Sequence, residues 1–315
     1  MSTQLTVSTS PHVHSEFTTR GIMFSVILAL LPAGITSVYF LGYRSFAVIA
    51  ACVIACVACE WFWQKCVMKT KVTVCDLSAV VTGLLLAYNL PPTMPIWMAI
   101  CGSVFAIIVV KQFYGGLGCN IVNPALAARA MMLISWPTAM TTWTVQGMSG
   151  ATPLAAMKAG NAFKLSCWDM LVGNMGGCIG ETCSVLLILG GAYLIWENII
   201  SWRIPVIYIA TASILGALFG HGGLMSEIFT GGLLLGAFFM ATDYTTSPMS
   251  AKGQFIYAFG CGLLTALIRT WGGYPEGVSF SILIMNVAVP LIDQYTAPRI
   301  LGAPKSNFFK RTGGK

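Results

Sequence analysis

The run Ile22-Met23-Phe24-Ser25-Val26-Ile27-Leu28-Ala29-Leu30-Leu31-Pro32-Ala33-Gly34-Ile35-Thr36-Ser37-Val38-Tyr39-Phe40-Leu41-Gly42-Tyr43 carries no charged side chain over 22 positions. A bilayer core is crossed by about 20 apolar residues of helix at 1.5 Å each. This run is therefore long enough to span. It follows a polar segment with Glu16 and Arg20, and no small-residue cleavage site comes after it, so it reads as a retained helix rather than a leader.

The pattern recurs along the chain. Apolar segments lie near 22–43, 45–63, 73–91, 94–112, 122–137, 178–196, 203–220, 226–242, 254–271 and 277–295. Composition agrees: 57% of the 315 residues are hydrophobic and 9% charged, against about 25% charged in a soluble domain. Mean hydropathy is +0.79. The expected fold is an all-α polytopic membrane protein of about ten transmembrane helices, with some segments broken by Gly and Pro. It divides into a tail (1–21), a transmembrane domain (22–295) and a basic tail (296–315).

The net charge of +7 is better explained by membrane topology than by nucleic-acid binding. With the N-terminus inside, twelve Lys and Arg fall on the cytoplasmic side: Arg20, Lys65, Lys69, Lys71, Lys111, Arg203, Lys252 and the tail residues Arg299, Lys305, Lys310, Arg311 and Lys315. Arg44, Lys158, Lys164 and Arg269 fall outside, and Arg129 lies within a span. Positive charge concentrates on cytoplasmic loops, so both termini are expected inside and the long loop 138–170 outside. The basic tail reads as a topology anchor against membrane lipid.

Two stretches repeat. Thr82-Gly83-Leu84-Leu85-Leu86 with Leu90-Pro91-Pro92-Thr93-Met94-Pro95 resembles Gly231-Gly232-Leu233-Leu234-Leu235 with Thr245-Thr246-Ser247-Pro248-Met249. Lys111-Gln112-Phe113-Tyr114-Gly115-Gly116 resembles Arg269-Thr270-Trp271-Gly272-Gly273. About five spans separate the copies, and an odd number inverts the second half relative to the first. Inverted repeats with interrupted helices place their sites at the repeat interface.

The 11 cysteines sit mostly in apolar runs without metal-ligand spacing, and two of the three His lie in the N-terminal tail. No metal site is expected. Cys119 and Cys178, in Gly-rich stretches, stand apart from the others.

Ser149-Gly150-Ala151-Thr152-Pro153-Leu154 lies in the external loop. Small neighbours leave the Thr152 hydroxyl open, Gly150 permits unusual backbone angles and Pro153 stiffens the chain beyond. On residues alone it is a loop threonine suited to a modifying enzyme.

Ser149–Thr152 is also similar to the stretch on which flavin transferase attaches FMN, by a phosphoester from the FMN phosphate to the Thr hydroxyl. Four further regions carry the same resemblance: Ser10-Pro11-His12, Gly115 to Ala125, Gly180-Glu181-Thr182 and Thr242 to Pro248. Together they resemble the RnfD/NqrB family of membrane redox subunits over nearly the whole chain. The short N-terminal tail is the RnfD-like feature. One departure is Gln146, where the pattern often has an acidic residue six positions before the Thr.

The resemblance implies a subunit of an ion-translocating ferredoxin:NAD oxidoreductase, coupled to Na⁺ or H⁺ and assembled with other Rnf subunits. It implies covalent FMN at Thr152, flanked by Ser149, Gly150 and Ala151, and a second, non-covalent riboflavin. Gly115, Gly116, Asn120 and Asn123 are expected to line a flavin pocket in a re-entrant or broken helix, because Gly allows close backbone approach and Asn offers amide hydrogen bonds. Charges inside spans are costly and mark function. Asp243 and Arg129 are expected at an ion or second-flavin contact, and Arg269, read as external, at the FMN phosphate. The competing reading is a cofactor-free solute channel or carrier on the same inverted-repeat fold. Only the redox reading uses the Ser149–Thr152 acceptor.

Overall fold

In the computed structural model, residues 18–70, 72–145, 148–150, 171, 177–219, 223–272 and 277–297 are described. Helix α1 (Thr19–Leu41) starts where the Thr18 side chain accepts from Gly21 N at 3.1 Å. It ends at Gly42, whose φ of +83° turns the chain directly into α2 (Tyr43–Phe62). α2 continues through a π turn, Trp63–Val67. Then come α3 (Ser78–Tyr88), α4 (Ile96–Val104, extended by a π segment Phe105–Gln112) and α5 (Pro124–Ser135). Asn123 begins α5 by accepting from Ala125 N and Leu126 N, with Pro124 in the first helical position.

α6 (Pro137–Thr141) and an antiparallel pair, β1 (Trp143–Val145) and β2 (Met148–Gly150), come next. The register pairs Thr144 with Ser149. The first part of the expected external loop thus has structure of its own. Thr152 and the rest of that loop to residue 170 lie outside the described residues.

The second half contains α7 (Ser184–Trp196), α8 (Arg203–Leu218), α9 (Leu224–Phe229), α10 (Leu233–Leu235, extended by a π segment Gly236–Met240), α11 (Ala251–Trp271) and α12 (Val278–Thr296). Among the described residues, four helices are long and apolar enough to cross a membrane: Thr19–Leu41, Tyr43–Val67, Ala251–Trp271 and Val278–Thr296. Five shorter apolar helices accompany them. The outer surface is apolar, with Ile35, Ile54, Leu189 and Leu218 exposed, as a lipid-facing wall requires. The chain is an all-α polytopic membrane protein, apart from the small β1–β2 hairpin.

Two expected spans are half-helices. The 73–91 span is helical only to Tyr88, and the chain runs on through Asn89–Pro95, where Pro91, Pro92 and Pro95 forbid continuation. The 226–242 span breaks at Thr230–Gly232 and is non-helical again from Ala241 to Ser250. Each half-helix is entered through a left-handed residue, Leu77 (φ +65°) before α3 and Gly232 (φ +67°) before α10. The helical run is broken at Gly115–Asn123. That segment joins α4 to α5 through turns, with Gly115, Gly116 and Gly118 all at positive φ.

Helices cross closely where glycine removes the side chain. A Cβ on Gly83 of α3 would lie 2.8 Å from Val53 Cα of α2. Backbone cannot yield as a side-chain tip can, so Gly83→Ala is expected to push α2 from α3 and cost about 1–3 kcal/mol. A thermal midpoint in detergent equal to that of the native chain would contradict this.

Candidate functional site

A cavity of about 460 Å³ opens between the two halves. Its first wall comes from α3 and α4 with Ser78, Thr82, Leu85 and Lys111. Asn120 and Asn123 close one side from the α4–α5 connection. The opposing wall is Phe238 and Phe239 of α10, then Thr242 to Thr245 of the turns beyond it. The start of α1 and the Asn198–Ile200 turn complete the lining, and Tyr244 pins that turn by donating from its hydroxyl to Ile199 O.

Polar groups reach this space in an ordered way. Thr82 donates to Ser78 O at 3.0 Å and Thr242 to Phe238 O at 2.6 Å. Each hydroxyl proton is spent on its own helix, and the oxygen lone pairs remain as acceptors. Asp243 accepts from Thr245 and Thr246 at 3.0 and 3.3 Å. Asn123 donates from Nδ2 to Met240 O at 3.4 Å. Its backbone N–H donates at 3.2 Å to the amide of Asn286, oriented to satisfy its neighbours. This is a mostly apolar slot with acceptors and amides along one rim, suited to a flat ring with a polar edge.

Of the residues singled out in sequence, Asn120, Asn123 and Asp243 meet at this cavity. Ser149 and Gly150 lie on β2. Asn120 and Asn123 line the cavity. Arg129 lies deeper, donating from Nη1 to Asn89 Oδ1 at 2.7 Å.

Arg269 also has a different partner from the phosphate expected. Its Nη1 donates to Glu227 Oε2 at 2.7 Å and to Glu227 O at 3.0 Å, and Nη2 donates to Thr230 O and Gly231 O at 3.0 and 3.3 Å. The side chain clamps the entry of α10. Lys111 does the same for α3: Nζ donates to Glu60 Oε1 and Oε2 at 2.9 and 3.0 Å and to Ser78 Oγ at 2.6 Å. Gln112 donates to the same carboxylate at 2.9 Å. The pairs lie at opposite ends of the bundle, Lys111 lining the cavity near the Asn198–Ile200 turn and Arg269 at the other end of α11 from Gln254, which contacts Ser201. This is the inverted repeat in side-chain terms. Sequence reasoning does not single out Glu60 and Glu227. The signal that could find them is a carboxylate in or beside an apolar run, which demands a cation.

Residues 6–302 match the NQR2, RnfD, RnfE family. The chain belongs to that family. Among its relatives, the D subunit of the Na(+)-translocating ferredoxin:NAD(+) oxidoreductase complex of Acetobacterium woodii is 52% identical over 308 residues, covering 96% of each chain. The D subunit of the proton-translocating ferredoxin:NAD(+) oxidoreductase complex of Clostridium ljungdahlii is 46% identical, covering 93% of this chain and 95% of that one. The D subunit of an ion-translocating oxidoreductase complex of Stutzerimonas stutzeri is 38% identical, covering 89% and 91%. Family membership thus spans both halves of the bundle and all of the cavity.

Proposed function

We propose that this chain is the D subunit of an ion-translocating ferredoxin:NAD⁺ oxidoreductase, carrying FMN through a phosphoester at Thr152 and a second, non-covalent flavin of the riboflavin type in the cavity. The observation that carries the reading is the acceptor stretch Ser149-Gly150-Ala151-Thr152 in a chain alike over nearly its whole length to D subunits of such complexes. The partners are the other subunits of the complex. The coupled ion is Na⁺ or H⁺, and the two relatives quoted first divide between them.

The cavity fits the second flavin. Its volume lies within the range of about 300–1,000 Å³ usual for small-molecule sites. Leu85, Phe238 and Phe239 offer apolar surface to a ring system, while Asn120, Asn123, Thr82 and Thr242 can meet its carbonyl and N–H edge. A bound flavin supplies one- and two-electron transfer; the protein holds it, orients it and excludes water. Lys111 lines the cavity, and the Lys/Arg asymmetry of the loops supports a cavity in the cytoplasmic half and Thr152 on the external side.

The covalent site is tested by producing the chain with its flavin transferase and viewing a denaturing gel under ultraviolet light. A fluorescent native band is expected; a dark one contradicts the assignment. For the cavity, Val81→Trp fills the slot from α3. Acid-released flavin per chain is expected to fall about tenfold, the scale of losing roughly 1.4 kcal/mol of binding, while gel fluorescence is unchanged. Undiminished release would place the second flavin elsewhere.

A further inference from the structure

The half-helices α3 and α10 enter from opposite ends and bring their C-terminal ends together in the middle of the bundle. Asn89, which ends α3, donates from Nδ2 to Met240 Sδ at 3.5 Å, and Met240 ends the helical run of α10. A helix C-terminus carries about half a negative charge, on carbonyls that lack intrahelical partners. In inverted-repeat transporters such ends hold the transported cation. In this chain a side chain stands there already. Arg129 of α5, 5% exposed, donates from Nη1 to Asn89 Oδ1 at 2.7 Å and from Nη2 to Cys178 Sγ at 3.4 Å. The Cys178 thiol in turn donates to Asn89 O at 3.4 Å. Arg129 therefore stands at the α3 end, where Asn89 also meets α10 through Met240.

A guanidinium keeps its charge at any physiological pH. Its positive charge therefore stays in place whatever the redox state or pH of the complex. We propose that Arg129 is a built-in counter-ion that occupies the cation position between the half-helices and closes the centre of this fold to ion flow. The bundle then keeps the architecture of a carrier without its central conductance, and ions moved by the complex take a route that does not pass between Asn89 and Met240.

The test needs no flavin, ferredoxin or NAD⁺, so its result is independent of the redox reading. The whole complex, native or with Arg129→Gln or Arg129→Lys, is placed in liposomes under a potassium-diffusion potential, and Na⁺ and H⁺ entry are followed with fluorescent dyes. Native and Arg129→Lys vesicles are expected to stay tight. Arg129→Gln vesicles are expected to admit one of the two ions at least about tenfold faster, a modest bound for removing a like charge a few ångströms from an ion path. Equal tightness of assembled Arg129→Gln complex would overturn the proposal, as would an equal leak through Arg129→Lys. Should Arg129→Gln fail to assemble, Arg129→Met serves instead, because it also removes the charge while keeping a long unbranched side chain. A leak through that variant supports the proposal, and tight vesicles overturn it.

Discussion

Thr152→Val is expected to give a folded chain that assembles with its partners, shows no fluorescence on a denaturing gel, and lowers ferredoxin-dependent NAD⁺ reduction by the complex roughly a hundredfold or more, the scale set when a component acting in series is lost. The substitution is nearly isosteric and removes only the hydroxyl oxygen that would become the bridging ester oxygen. Thr152→Ser keeps that oxygen and is expected to retain fluorescence and most of the activity. Both arms are needed. A dark Thr152→Val chain with full electron transfer would make the covalent flavin dispensable. A bright one would move the attachment to another residue.

The second large effect concerns the paired clamps. Arg269→Met leaves the Glu227 carboxylate buried without its cation, and Lys111→Met does the same to Glu60, a pair whose side chains are 3% and 1% exposed. Breaking a buried pair from one side costs about 3–5 kcal/mol, whereas replacing both partners with apolar groups is often neutral. Each single variant is therefore expected to unfold in detergent well below the native midpoint, and Glu227→Leu with Arg269→Met to recover much of the loss. The cycle also separates two roles for Arg269. A clamp loses stability with its gel fluorescence intact, and a phosphate-binding residue would lose flavin with its stability intact. A double variant no more stable than the single one would contradict the clamp.

The long helices are legible in the chain because apolar runs such as Ile22–Tyr43 are set by the bilayer alone, and α1, α2, α11 and α12 match them within a few residues. The half-helices are half legible. Pro91, Pro92 and Pro95 announce that α3 stops early, and Gly231-Gly232 marks the entry to α10, yet hydropathy counts each stretch as one span. The inverted repeat shows in Lys111 and Arg269. What those two residues do is hidden, because their carboxylates lie 51 and 42 positions away and only the folded bundle brings them together. The cavity is hidden for the same reason: Asn123 of the first half faces Met240 of the second, 117 positions on. Apolar patterning records which face is buried, not which neighbour buries it. The glycines of the Gly115–Asn123 segment mark it as unusual, and their positive φ values explain them, but a re-entrant helix does not follow from conformational freedom alone.

That this chain is a flavin-carrying subunit is tested most directly by mass mapping. The native chain, produced with its flavin transferase, is digested with trypsin, and the peptide from Ala130 to Lys158 is sequenced by mass spectrometry. This peptide is expected to gain the mass of FMN less one water, with the addition on Thr152. An unmodified peptide at full recovery would contradict the covalent flavin and, with it, the central claim.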